Sequence, residues 1–199
     1  MALTVQLACR RRPQRARRQD GRMEDLVTKP GWLSDEEMAS IRAHLPVVYV
    51  DIVPVRVDSL GRITYVGLLL TGTSHGGISR TLVSGRVLHG ERIREALVRH
   101  LEKDLGTLAL PRVPVSPTPF TVAEYFPDPG VSGFHDPRQH AVSLAYVIPV
   151  DGDCAPAQSA LDLAWMRPEE VVSPGVVAEM SGGRDRLVRM ALAHAGCLP

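Results

Sequence analysis

The residues best suited to chemistry fall in one stretch, Ser84 to Gly106. A glycine-containing turn at Ser84-Gly85-Arg86 is expected to lead into about four turns of helix, and Gly106 sits where a C-terminal cap belongs. Ile93, Leu97, Leu101 and Leu105 recur every fourth residue and form one apolar stripe. At about 100° per residue, Glu91, Glu95, Arg99 and Glu102 share one quarter of this helix, which as a strip on its own reads as a salt-bridged solvent face. His100, Lys103 and Asp104 form a second polar strip at i, i+3 and i+4. That strip flanks the apolar stripe, so it is placed to line a cleft with an imidazole, an ammonium and a carboxylate.

The rest of the chain must position this helix. Ser34-Asp35-Glu36-Glu37 reads as a capped helix start, and Pro46 ends that helix. Val47 to Val57 is rich in β-branched residues and is expected to be a strand, with Asp51 interrupting it. Asp58-Ser59-Leu60-Gly61 is a hairpin turn, and Ile63 to Leu70 is the returning strand. A glycine-rich loop, Thr71 to Gly77, precedes a short strand, Ile78 to Val83, that feeds the central element. Phe120 to Phe126 and His140 to Val150 read as strands. Between them, Pro127 to Gln139 is a long loop carrying Asp128, His135, Asp136 and Arg138, and loops of that length are often functional. A last strand, Leu161 to Met166, is followed by a short helix starting at Pro168 and a closing amphipathic helix, Ser181 to Ala195. The order predicts an α/β sandwich with a mixed sheet and no internal repeat.

Composition sets the outer limits. A length of 199 residues and a hydrophobic content of 44% suit one domain with a real core, expected over residues 23–199. No apolar run approaches the roughly 18 residues of a membrane helix. Residues 1–22 carry seven arginines and one aspartate, a local charge of +6 that leaves −5 for the rest of a chain whose net charge is +1. This stretch reads as a disordered basic extension, with Met23 an alternative start. It lacks the aromatic interleaving that nucleic-acid binding would use. Ala2 to Cys9 is too short for a signal peptide. The three cysteines, Cys9, Cys154 and Cys197, are odd in number and far apart, which argues against a disulfide framework or a zinc site and fits a reducing cytoplasm. Lys29 and Lys103 are the only lysines, a bias expected of a GC-rich bacterial genome.

The spacing Gly85, Glu91, Arg99, Leu101, Asp104 and Gly106, with a hairpin before it and Trp165 followed by Pro168-Glu169-Glu170 after it, resembles the box of the Nudix hydrolases over roughly residues 45–195. That resemblance implies an α/β/α sandwich, a Mg²⁺ or Mn²⁺ cofactor, a nucleotide or phosphorylated small-molecule ligand, and a homodimer. Two of the three box carboxylates are replaced here, by His100 and Lys103, so the box is degenerate. The GDP-mannose mannosyl hydrolase branch shares this loss, and similarity to it implies hydrolysis of a nucleoside-diphosphate-linked substrate such as a nucleotide sugar. By the same resemblance, Ser84 (through its carbonyl), Glu91, Asp104 and Gln158 are expected at the metal, Gln158 sharing that place with Ser159. Arg86 and Arg99 are expected at the reacting diphosphate, and Asp51 at the sugar. Arg80 and Lys103 are further candidates for substrate binding. The branch's histidine base is missing after Gln158, so His100, His75 or His135 would have to supply it from another direction. The alternative is a catalytically inactive member in which Lys103, Arg86 and Arg99 bind a phosphate group without metal.

Overall fold

The computed structural model describes residues 32–73, 76–156 and 160–198. The expected basic extension, His75, Gln158 and Ser159 lie outside the described residues. Among the rest, helix α1 (Asp35–His44) is followed by strands β1 (Val47–Val57), β2 (Ile63–Gly72), β3 (Ile78–Thr81) and β4 (Val83–Arg86). Helix α2 (Ile93–Leu105) comes next, then β5 (Thr121–Tyr125), β6 (Ala141–Pro149), β7 (Asp162–Met166) and helices α3 (Pro168–Val171), α4 (Pro174–Ala178) and α5 (Arg184–His194). Ser34 caps α1 as its sequence predicts: its hydroxyl accepts the Glu37 N–H, and the Glu37 carboxylate accepts the Ser34 N–H.

All seven strands form one mixed sheet. Along one edge β1 pairs in parallel with β6 from Val47 to Val55. Its other edge is shared: Val55–Val57 pair with β2, whereas Tyr49–Ile52 pair with β4. β3 meanwhile pairs with β2 at Leu69–Gly72. The β1–β2 hairpin therefore opens like a V, and the run Ile78–Arg86 fills it, leaving the β2 arm at Leu82 to join the β1 arm. Ser84-Gly85-Arg86 is consequently strand and not the turn expected from its glycine, and the central helix starts only at Ile93. The backbone groups of this run are satisfied by β1, which outweighs glycine's preference for turns.

Helices cover both faces. Val50 and Ile52 of β1 pack under α2 with Leu97, Leu101 and Leu105. Val53 and Val55 belong to a second cluster that holds Leu187, Val188 and Leu192 of α5. These two fully buried clusters make the expected α/β/α sandwich. α5 begins at Arg184, three residues later than its sequence pattern allows, because Gly182 and Gly183 both take positive φ, at 68° and 83°.

Candidate active site

The period of β1 sends Asp51 to the face opposite Val50 and Ile52. It is almost fully buried there, and its Oδ2 accepts the Tyr125 hydroxyl at 2.9 Å. Burial and the neighbouring Asp51 carboxylate push the Tyr125 hydroxyl far up in pKa, so it stays protonated and donates. Directly across the ladder from Asp51 stands Ser84.

Gly85 is next to Ser84, on the α2 side. A Cβ built there would fall inside the imidazole of His100. The box glycine thus lets α2 lay a histidine ring flat on the β4 backbone. His100 is buried, and its Nε2 lies 3.0 Å from the Arg86 carbonyl oxygen. A carbonyl only accepts, so Nε2 carries the hydrogen and Nδ1 keeps a lone pair. The His100 pKa is lowered, chiefly by burial and further by Arg99 and Lys103, against the opposing pull of the Arg86 carbonyl and Asp104. The ring is therefore neutral near pH 7.

The same Arg86 carbonyl accepts from Arg99 Nη2 at 3.0 Å. Arg99 also grips Glu91, Nε to Oε1 at 2.6 Å and Nη2 to Oε2 at 2.8 Å, and Glu91 Oε2 accepts the Leu88 N–H at 2.9 Å. Arg99 lowers the Glu91 pKa despite the opposing effect of burial, and the Leu88 N–H adds to the lowering. Both Glu91 oxygens accept hydrogen bonds, so Glu91 clamps the 86–91 segment to α2. Arg99 is a positioning residue for the 86–91 segment.

His100, Lys103 and Asp104 line one cleft with Asp51, Ser84 and Arg86. The cleft has a volume of about 530 Å³ and lies between α1, α2 and the open end of the V. Lys103 is half-exposed, with Nζ 3.5 Å from Asp104 Oδ1. The Arg86 guanidinium lies 2.6 Å from Met38 Sδ and 5.8 Å from the Trp32 ring centre. Arg80 is elsewhere: its Nε bonds Glu179 Oε2 at 2.6 Å and its N–H bonds the Glu179 carbonyl, so it ties β3 to the end of α4 and lines no part of the cleft. His135 also leaves the cleft, with Nδ1 at 3.0 Å from the Phe126 carbonyl.

Sequence reasoning missed the opposite wall. Arg42 Nε bonds the buried Gln139 Oε1 at 3.0 Å, Gln139 Nε2 bonds Asp136 Oδ2 at 2.9 Å, and Arg138 holds both Asp136 oxygens at 2.9 Å. Burial would raise the Asp136 pKa, but Arg138 and the Gln139 amide outweigh it, and the carboxylate stays ionised. Arg184, at the start of α5, adds another cation near Tyr125. Asp136 and Arg138 stand in the loop singled out by its length. Nothing in the sequence spacing connects Arg42 or Arg184 to it.

The fold implies a divalent cation, and the donor set tests that. Among the described residues no group of three or more His, Cys, Asp or Glu side chains could hold a metal. A carboxylate cluster of the all-oxygen kind that Mg²⁺ favours is therefore not built from them. Two buried atoms on the cleft wall do lack partners, His100 Nδ1 and Asp104 Oδ1.

This sandwich, with α2 over the split hairpin, is the Nudix fold. The Nudix domain of Shewanella oneidensis NrtR, solved with ADP-ribose, superposes with a TM-score of 0.54 at 15% identity, over 81% of this chain and 98% of that one. A Caenorhabditis elegans Ap4A hydrolase binary complex gives 0.51 at 14% identity, over 75% and 98%. A protein of Jonesia denitrificans described as a possible asymmetric diadenosine tetraphosphate (Ap4A) hydrolase is 62% identical, with a TM-score of 0.77 over 78% of this chain and 98% of its own. Residues 28–197 match the family described as a domain of unknown function, DUF4916, and the chain belongs to that family. No curated protein matches it. No helix among the described residues is long and apolar enough to cross a membrane.

Proposed function

We propose that this protein hydrolyses a nucleotide whose linkage runs through two or more phosphates, with the phosphates lying along the cationic walls of the cleft. The observation that carries the reading is the convergence of Arg86, Lys103, Arg138 and Arg184 on one cleft that His100 and Asp104 of α2 also line. The description of the Jonesia relative supports a dinucleoside polyphosphate as substrate; the resemblance of the box supports a nucleotide sugar. Both present the same diphosphate to the same wall.

The residues divide the work. Arg86 and Lys103 neutralise charge that develops on the departing phosphate, where preset cations act most strongly. Glu91 and Arg99 hold the Arg86 carbonyl in place. Asp51, held by the Tyr125 hydroxyl, accepts from a sugar hydroxyl. His100 and Asp104 orient the attacking water or a cation that carries it. A divalent cation bound there would polarise the phosphoryl oxygens and lower the pKa of its water. Ser84 and Gln158 complete that site in this reading. The assembly is a cytoplasmic homodimer. α1 contributes Met38 and Arg42 to the cleft.

A second reading is favoured by one observation. Lys103 places an ammonium 3.5 Å from Asp104, at a position where the related box has a carboxylate. In that reading the cleft binds a nucleotide or phosphorylated metabolite without turning it over. A product-release screen separates the two: dinucleoside polyphosphates, nucleoside diphosphate sugars and nucleoside triphosphates are each incubated with Mg²⁺, Mn²⁺ and EDTA. Metal-dependent turnover of one class is expected. Thermal stabilisation by one of these compounds with no turnover of any would establish the binding protein instead.

A further inference from the structure

Trp32 is 53% exposed, yet it lines the cleft beside Leu33. The chain holds two tryptophans, and the other, Trp165, packs against the α2 cluster with Arg56 over its ring. An indole left mostly in water contributes little to folding, because its apolar area is not removed from solvent. The ring is nevertheless held in place. Trp32 stands two residues before Ser34, whose capping box fixes the start of α1. Arg86 sets its guanidinium over the ring at 5.8 Å from the centre, within reach of a cation–π contact, and the same guanidinium touches Met38 of α1. Among the described aromatic residues that line the cleft, Tyr125 is buried and Tyr49 packs against the α5-side core. Trp32 is the one left open, and it precedes residues 45–195, the span that carries the resemblance to the Nudix box.

We infer that Trp32 is the platform on which the substrate's nucleobase stacks, with Arg86 at the join between the base and the phosphates. The order of groups along the cleft matches the order within a nucleotide. Arg86 neighbours the indole on one side and belongs to the cationic wall on the other. A nucleotide likewise carries its base one ribose away from its first phosphate. Stacking asks only for a π face, which every base offers, so it holds a nucleotide without a matched set of hydrogen bonds. One face of the indole meets Arg86, and the exposure of the residue leaves the remainder for a planar ring. Arg86 would then sense both halves of the ligand, since its cation supports the indole and the charge of the phosphates. The inference rests on the cleft's taking a nucleotide, and its test does not depend on turnover.

Indole fluorescence reports on Trp32, with Trp165 as an internal reference. The full chain in Mg²⁺ is titrated with α,β-methylene ADP, which keeps the base and resists cleavage between its phosphates, and in parallel with methylenediphosphonate, which has no base. Calorimetry gives each affinity. The nucleotide is expected to quench the fluorescence and the diphosphonate to leave it unchanged. Trp32→Leu should bind the nucleotide about tenfold or more weakly and without quenching, while binding the diphosphonate as the wild type does. Trp32→Tyr should restore most of the lost affinity. Because the side chain is exposed, both variants should melt where the wild type does. An equal loss of affinity for the two ligands in Trp32→Leu would overturn the inference and make Trp32 a prop for Arg86. Nucleotide binding that Trp32→Leu leaves as tight and as quenched as before would overturn it and leave the nucleotide reading standing. A diphosphonate bound as tightly as the nucleotide by the wild type would also overturn it. Binding of neither ligand would overturn both readings.

Discussion

Helix α2 and the turn before it carry two polar groupings, adjacent at Arg99 and His100 and opposite in character. Glu91 and Arg99 spend their polar atoms on each other, on the Leu88 N–H and on the Arg86 carbonyl. His100 and Asp104 each keep one buried atom without a hydrogen bond, and Asp104 has only the half-exposed Lys103 ammonium at 3.5 Å. Satisfied buried groups hold a structure together; unsatisfied ones facing a cleft are where a ligand replaces the missing partner. The box residues therefore split into a clamp and an unsatisfied pair, although the sequence presents all of them as one motif.

Substitutions can sharpen that split. The largest effect is expected from Asp104→Asn, which should cut turnover by about 10²-fold or more while changing the melting temperature little, because Asp104 makes no hydrogen bond through Oδ1 and its ion-pair partner Lys103 is half-exposed. A large drop in stability would place Asp104 in the clamp. Arg99→Ala should do the reverse. It leaves Glu91 largely buried and unpaired, at a cost of about 3 kcal/mol, or roughly 6–12 °C in melting temperature by calorimetry. Tyr125→Phe removes the one hydroxyl on Asp51 and should cost about 1–2 kcal/mol. The smallest effect belongs to Arg80→Ala. Its pair with the fairly exposed Glu179 supports β3 alone, so stability should fall by about 1 kcal/mol or less, with KM for the substrate unchanged.

The clamp also has a pH signature. The Glu91 pKa is lowered in the folded chain, first by Arg99. A depressed carboxylate pKa adds stability that is fully present above the ordinary glutamate range and is lost as pH falls through the lowered value. Denaturant titrations of the wild type should therefore show stability declining on acidification below the glutamate range. Glu91→Gln should be less stable at pH 7 and should show a shallower decline.

Local pattern made much of this molecule readable. The β-branched run marks β1 from Val47 to Val57, and the four-residue apolar repeat marks α2, because each depends on neighbours within a few residues. The split hairpin was not readable, since β4 earns its strand geometry from Tyr49–Ile52, more than thirty residues earlier. The site divides the same way. His100, Lys103 and Asp104 share a helix face that the sequence displays. The far wall joins Arg42 of α1 to Gln139 and Asp136 across 97 and 94 positions, and only the parallel pairing of β1 with β6 brings those segments together. The Arg80 pairing was hidden for a related reason: position along a strand does not say which edge-side neighbour, here Glu179, will claim a side chain.

The measurement that bears most directly on the central claim is product release from dinucleoside polyphosphates and nucleoside diphosphate sugars by wild type and Asp104→Asn, with Mn²⁺ and with EDTA. The account predicts turnover by the wild type in Mn²⁺ alone, and its loss in a variant that melts where the wild type does. Undiminished turnover by Asp104→Asn would contradict it, because the unpartnered pair on α2 would then have no part in the chemistry.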